Sequence, residues 1–418
     1  MLYKDKGVKM TKIQVTNEIK PLRKVLLHRP GEELLNLTPL TLDELLFDDI
    51  PDLVKAREEH DRFAEILREN GVEVVYLEDL MAETLDANLD IKDKFLDQFI
   101  SEAGVHTDEY QEILKEYFNK FEDNKSLVLK TMAGVTFEEL GDLKTNFLVD
   151  KLNNDSYLLL NPMPNLYFTR DPFASIGNSA SINKMYSVTR NRETIYADYI
   201  LKHHPEYKGQ VQDLYGRDNP FHIEGGDILN ISEKLLFIGI SQRTQAEAIQ
   251  ELAMKLFYES KENTIETILA FNIPNNRAMM HLDTVFTQID TDAFTIHPGI
   301  MKTLQVFEIT KDEENHDVHI EEHRGKLDEI LAHFMGLEKV RLFECGAGDP
   351  IAAEREQWTD GSNTLTIAPG KIIVYKRNYV TNQYLKDNGF DVIELDADNI
   401  CVGRGGPRCM SMPLIRDL

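Results

Sequence analysis

Three cysteines in a chain of 418 residues are too few, and the wrong parity, for a disulfide framework, and none stands in CxxC spacing. Cys345, Cys401 and Cys409 are therefore expected to be free thiols in a reducing compartment, not bridge partners or a thiolate zinc site. Positive charge is also scarce: 46 Lys and Arg face 72 Asp and Glu, for a formal charge of −26. That balance argues against nucleic acid and anionic membranes as partners and favours a cationic small substrate. No apolar run approaches the roughly 20 residues of a membrane span, and the polar opening MLYKDKGVKM does not resemble a signal peptide. A cytoplasmic protein is expected. What is present is ample core material: 42% hydrophobic residues suffice for one large domain or two ordinary ones.

Several segments share one order: an apolar strand, a turn carrying polar residues, a second strand, an amphipathic helix and a closing strand. One runs from HIEGGDILNISEKLLFIGI through QAEAIQELAMKLFYE to ETILAFNI, and another from MHLDTVFTQID through GKLDEILAHFMGL to KVRLFEC. A third uses NTLTIAPGKIIVYK, TNQYLKDNG and DVIEL; a fourth begins at NLYFTRDPFASIG and continues into RETIYADYILKHH. PLRKVLLHRP, the helix HDRFAEILREN stopped by Gly71, and VEVVYL supply a fifth. Recurrence every 50 to 75 residues or so predicts an α/β chain of ββαβ-type repeats set as blades around a pseudo-symmetry axis, with an ordinary mixed sheet as the alternative. Residues 79–156 interrupt the rhythm with helical stretches such as KDKFLDQFISEAG and EYQEILKEYFNKF, which predict an inserted helical subdomain. The expected divisions are 1–78, with 1–9 as an N-terminal extension, then the insertion 79–156, then 157–418.

The turns that open these repeats carry Asn165 and Asp171 in PNLYFTRDP, Glu224 and Asp227 in HIEGGD, and His281 and Asp283 in MHLD. Around a pseudo-symmetry axis such turns converge, and Cys409 of GRGGPRCMSMP can join them. A thiol, an imidazole and several carboxylates are the parts of covalent cysteine chemistry on a cation. Each part alone has a plainer reading. Asp171 before Pro172 can cap a turn, Gly225 and Gly226 can serve positive-φ backbone, His281 can be a satisfied structural histidine, and Cys409 can be a small core residue beside Met410 and Met412. His316, His319 and His323 in HDVHIEEH are weighed as a zinc site and set aside in favour of a solvated edge. FECGAGDP lacks the strand-loop-helix spacing of a phosphate-binding loop, so no nucleotide is implied.

Taken in order, LLFDDIP, NLYFTRDP, TRNRET, IEGGD, GISQRT, MHLDTVFT, REQWTDGSNTLTIAPG and GRGGPRCMSMP resemble the arginine deiminase family from about residue 12 to the C-terminus. The resemblance implies the five-bladed α/β propeller of guanidine-modifying enzymes with a helical insertion, and hydrolysis of L-arginine to L-citrulline and ammonia. By motif, Cys409 matches the nucleophile, Asp171 and Asp283 the carboxylates that grip the guanidinium, and Glu224 and His281 the proton-transfer pair. Asn165, Arg190 and Arg243 match groups that hold the amino acid end, and Arg404 a mobile residue that exchanges partners when substrate arrives. Neither metal nor organic cofactor is implied, and a homo-oligomer is expected. Within the class the rivals are hydrolysis of agmatine or methylarginine and amidine transfer. Further off stand a cysteine peptidase and a non-enzymatic acidic interaction protein.

Overall fold

A computed structural model of the chain describes residues 13–141, 157–260 and 263–418. The proposed extension 1–9 and the last part of the predicted insertion, 142–156, lie outside the described residues. The fold is α/β. Four sheets contain the same three-strand unit, an antiparallel hairpin followed through a helix by a parallel strand. In one, Ile228–Asn230 pairs antiparallel with Leu235–Ile240, the helix Ala246–Met254 crosses over, and Thr267–Asn272 returns parallel. Phe286–Asp290, Ala293–Ile296, the helix Leu327–Met335 and Arg341–Glu344 repeat it, as do Leu365–Ala368, Lys371–Tyr375, the helix Tyr379–Asp387 and Asp391–Leu395. The crossover helix is what a parallel return requires, since a tight turn can join only antiparallel neighbours.

The fourth unit is closed by the two ends of the chain. Leu22–Leu27 is parallel to Glu73–Tyr76 but takes its antiparallel partner from Met412–Arg416. Between the two parallel strands runs the helix Leu53–Glu69, whose Ala56, His60, Phe63, Ala64 and Leu67 fall on one buried face. Its start is fixed by Asp52, whose side chain accepts from the Lys55 N–H at 3.0 Å, and its end by Gly71 at φ +79°. A hairpin of Phe173–Ile176 and Ser179–Ile182 precedes the helix Thr194–His203, and here the parallel return is a single bridge from Ala180 to Asp213. The sheet of Ile228–Asn230 and Leu235–Ile240 is widened by the ribbon of Gln305–Asp312 and Asp317–His323, which pairs onto Thr267–Asn272.

Helices Leu77–Ala87, Lys92–Glu102, Asp108–Phe118 and Asn124–Ala133 follow Glu73–Tyr76 in the chain. They bury Phe95, Phe99 and Phe118 against one another and dock on the body through Phe95 against Tyr196 and Tyr199, at ring separations of 6.0 and 5.4 Å. Among the described residues no helix is long and apolar enough to cross a membrane.

Candidate active site

Each repeat delivers polar side chains from the same place, the turn just before its first strand. Asp171 lies two residues before Phe173–Ile176, and Glu224 four before Ile228–Asn230. His281 and Asp283 precede Phe286–Asp290, and Cys409 precedes Met412–Arg416. These five are essentially excluded from solvent, none more than 3% exposed. The glycines of IEGGD serve a different need from the one their type suggests. Neither has positive φ; instead a Cβ on Gly225 would lie 2.0 Å from the Arg170 carbonyl oxygen, and one on Gly226 2.7 Å from the His281 ring. They let the imidazole and the neighbouring turn approach the backbone closely.

The contacts inside this cluster are directional. His281 Nε2 lies 2.7 Å from Glu224 Oε2, and its Nδ1 is 3.9 Å from Asp171 Oδ1. Burial pushes His281 down, but Asp171 and the Glu224 hydrogen bond outweigh it and raise its pKa to about 9. Glu224 responds in the opposite sense: burial pushes it up, yet the charge of Arg243 and the bond from His281 hold it below the usual carboxylate range. The pair is therefore an imidazolium and a carboxylate at neutral pH. Burial, reinforced by the charges of Asp283, Asp171 and Asp360, drives the Cys409 thiol well above its ordinary value. In the resting site the thiol is protonated, with Sγ 3.6 Å from Asp283 Oδ2.

Two carboxylate oxygens are left over. Asp171 Oδ2 accepts from Arg190 Nη1 at 2.8 Å and Asp283 Oδ2 from Arg408 Nη1 at 2.8 Å, while Oδ1 of each is buried without a hydrogen-bond partner among the described residues. A buried acceptor left without a hydrogen bond costs about 1 to 3 kcal/mol, and a planar cation with several N–H donors is the group that would satisfy both.

The predicted residues of the amino acid end meet different fates. Arg243 lies over the Tyr186 ring at 5.3 Å, and its Nε and Nη1 are buried without hydrogen-bond partners; Glu224 Oε1 is 3.8 Å from Nη1. Arg190 borders the same cavity, but Nε, Nη1 and Nη2 already have carboxylate partners in Glu193 and Asp171. Asn165 donates to the Leu45 carbonyl at 2.7 Å. Arg404 stacks on Trp358, its guanidinium carbon 3.4 Å from the ring centroid, with Nη1 3.5 Å from Asp48. Leu46 and Arg404 both line the cavity and both hold left-handed backbone, φ +62° and +65°. Non-glycine residues there are strained by about 1 to 3 kcal/mol, and such strain gathers where a segment has a job other than stability.

Other expectations separate here. Cys401 accepts from Arg377 Nη1 at 2.8 Å and Cys345 is buried beside Thr381; burial raises both thiols to about 11, and neither borders the cavity. Asp227 stands behind the site, accepting from the Leu282 N–H and the Ser241 hydroxyl. His316, His319 and His323 do not converge: His316 sits at the ribbon turn against Tyr258, His319 is exposed, and His323 bonds Glu308.

The family model for arginine deiminase matches residues 43–416. An arginine deiminase of Treponema denticola is 55% identical over 408 residues, covering 98% of this chain and 99% of the relative, and one of Clostridium perfringens is 53% identical over 97% and 98%. The chain belongs to the arginine deiminase family. Among solved structures it is similar to an amidinotransferase of saxitoxin biosynthesis from Microseira wollei, with a TM-score of 0.53 at 16% identity over 97% and 98% of the two chains. A dimethylarginine dimethylaminohydrolase gives 0.51 at 14% identity over 94% and 99%. Those likenesses speak for the fold.

Within this arginine deiminase fold, two residues beside the thiol were not singled out from sequence. Arg408 joins Asp283 to Glu18 through a fully buried network, with Nε 3.1 Å from Glu18 Oε2. Asn363 holds the Cys409 backbone and sulfur at once. A signal for it existed: NTLTIAPG opens the one repeat to which no site residue was assigned, and Asn363 stands two places before its first strand, as Asp171 does in its own.

Proposed function

We propose that the chain hydrolyses L-arginine to L-citrulline and ammonia, with Cys409 as the nucleophile. The observation that carries this reading is the pair of unpartnered carboxylate oxygens, Asp171 Oδ1 and Asp283 Oδ1, buried beside the thiol. They fit a guanidinium, and the Arg243 N–H groups that make no hydrogen bond among the described residues fit the α-carboxylate of the same substrate.

A guanidinium carbon is a poor electrophile until its charge is fixed and a nucleophile is aligned with it. Asp171 and Asp283 supply the fixed charge. Entry of the cation offsets the carboxylates that keep Cys409 protonated, so the thiol loses its proton to solvent by way of Asp283 Oδ2, the acceptor it faces. The S–C bond then forms, and the His281 imidazolium gives its proton to one terminal nitrogen. The C–N bond breaks, ammonia departs, and a thiouronium remains on sulfur. The now neutral His281 takes a proton from water as the O–C bond forms at the same carbon, with Glu224 holding the imidazolium that results. Collapse breaks the S–C bond and releases citrulline; the hydroxyl proton returns to the Cys409 sulfur to restore the resting thiol, and the proton lost earlier to solvent converts the freed ammonia to ammonium.

Asn165, Arg190 and Arg243 border the amino acid end, Arg190 also steadying Asp171, and Arg404 closes the cavity over them. For the architecture, we read the four matched sheets and the hairpin as five blades about one axis, with residues 79–156 inserted between the first and second. The equivalent placement of the site residues supports it. A cytoplasmic homo-oligomer completes the proposal.

Incubation with arginine, agmatine and methylarginine, with ammonia and each carbamide product measured, tests the reaction. Citrulline and ammonia in equal amounts, with the other two substrates far slower, are expected. Preferential turnover of agmatine or methylarginine would move the assignment to a related hydrolase. A peptidase reading leaves Asp171 and Asp283 with no task.

A further inference from the structure

Asn363 is completely buried, and its side-chain amide is spent on Cys409, the adjoining Arg408 backbone and Asp283. Its Oδ1 accepts from the backbone N–H groups of Arg408 at 3.1 Å and Cys409 at 3.2 Å. Its Nδ2 lies 3.1 Å from the Asp283 carbonyl oxygen and 3.1 Å from Cys409 Sγ. The orientation of the amide is fixed by chemistry: two backbone N–H groups can only donate and a backbone carbonyl can only accept, so the nitrogen must face Asp283 and the sulfur. The loop is shaped to allow it, since a Cβ on Gly406 would come within 2.6 Å of Asn363 Oδ1.

We propose that Asn363 is a catalytic residue whose amide N–H stabilises the Cys409 thiolate and aims it at the guanidinium carbon. The inference rests on Cys409 being the nucleophile. The charges that act most on the sulfur are those of Asp283, Asp171 and Asp360, and all three oppose a negative sulfur. The cations nearby are already engaged by carboxylates: the His281 imidazolium by Glu224, Arg408 by Asp283 and Glu18, and Arg190 by Asp171 and Glu193. A donor that carries no charge helps the thiolate without repelling the substrate cation, as a lysine or arginine in its place would. The Gly406 backbone also favours the charged form. A hydrogen bond to a charged acceptor is roughly twice as strong as one to a neutral acceptor, so the contact strengthens as the proton leaves. The same amide ties the sulfur to Asp283, so nucleophile and clamp are set by one side chain.

Asn363→Asp is nearly isosteric. It keeps the acceptor for both backbone N–H groups, removes the donor to sulfur and adds a negative charge beside it. Asn363→Ala removes donor and acceptor without adding charge. The rate of alkylation of Cys409 by iodoacetamide is measured against pH by peptide mapping, with Cys345 and Cys401 as internal references, alongside kcat and KM for arginine. At a fixed pH below the thiol's titration, Cys409 alkylation is expected to slow about tenfold in Asn363→Ala and further in Asn363→Asp. The kcat should fall in the same order, with smaller change in KM. If Asn363→Asp fails to fold, judged by its thermal transition, Asn363→Ala carries the comparison. Coincident alkylation profiles in parent and variants would overturn the proposal, whatever happens to kcat, because a purely structural role does not act on the thiolate. Turnover retained by Cys409→Ser would instead defeat the nucleophile assignment on which it rests.

Discussion

Arg243→Ala offers a quantitative test of substrate reading. In the parent, Nε and Nη1 of Arg243 are buried without hydrogen-bond partners among the described residues, and its charge, 3.8 Å from Glu224 Oε1, also holds Glu224 in the ionised form. Substitution therefore has two consequences. Loss of a charge-assisted contact to the α-carboxylate costs about 1.5 to 3 kcal/mol, or roughly 10- to 150-fold in kcat/KM, and falls on arginine alone. Weakened ionisation of Glu224, and with it the His281 imidazolium, falls on any guanidine substrate. Agmatine lacks the carboxylate and reports only the second effect. The assay is kcat/KM for both substrates, by product release, on parent and variant at one pH and ionic strength. The ratio of the two losses isolates the carboxylate contact, as a double-mutant cycle isolates a pair. Arginine should lose at least about tenfold more than agmatine. Equal losses would refute the reasoning, and with it the claim that Arg243 distinguishes the amino acid from its decarboxylated relative.

Cys409→Ser should lack measurable turnover because an alcohol is far less ionised than a thiol, whereas Cys401→Ser and Cys345→Ser should stay within a few-fold of the parent; steady-state ammonia release decides it. His28 is fully buried between Glu33 and Glu78, with ring nitrogens 3.0 and 2.7 Å from their carboxylates. Burial lowers its pKa, but the two carboxylates prevail and raise it to about 10. A pKa raised on folding stabilises fully below the unfolded value near 6.5 and is lost as pH climbs through about 10. Thermal transitions of the parent should accordingly fall across that window, and His28→Gln should be less stable at pH 6 with a shallower decline; parallel curves would contradict it.

Much of the fold is visible in the chain because each repeat keeps its own alternation of apolar strand, polar turn and amphipathic helix. Gly71 stops a helix in the structure as its residue type suggests. The site is visible for a related reason: Asp171, Glu224, His281 and Cys409 interrupt apolar runs at turns, where an ionisable group has no packing purpose. What stays hidden depends on distant pairing. Nothing in PLRKVLLHRP says that its antiparallel neighbour is MPLIR at the opposite end of the chain. The hydrogen-bonded engagement of Arg190 with Asp171 and Glu193 cannot be told from the unfilled Nε and Nη1 of Arg243, since both read as arginines after a polar turn. Asn363 passes unnoticed because a neutral amide before a strand looks like ordinary turn chemistry. The glycines beside Glu224 are legible as necessary, but the reason, the nearness of the His281 ring, is a tertiary fact.

The central claim is a covalent bond between Cys409 and the substrate carbon, and the direct measurement is mass spectrometry of intact protein quenched in acid during turnover of arginine. It is made on the parent and on His281→Ala, in which loss of the water-activating base should slow breakdown of the intermediate. The account predicts a mass increment equal to arginine less ammonia, mapping to the peptide that contains Cys409. An adduct on Cys345 or Cys401, or a parental rate of citrulline release from His281→Ala with no adduct formed, would contradict it.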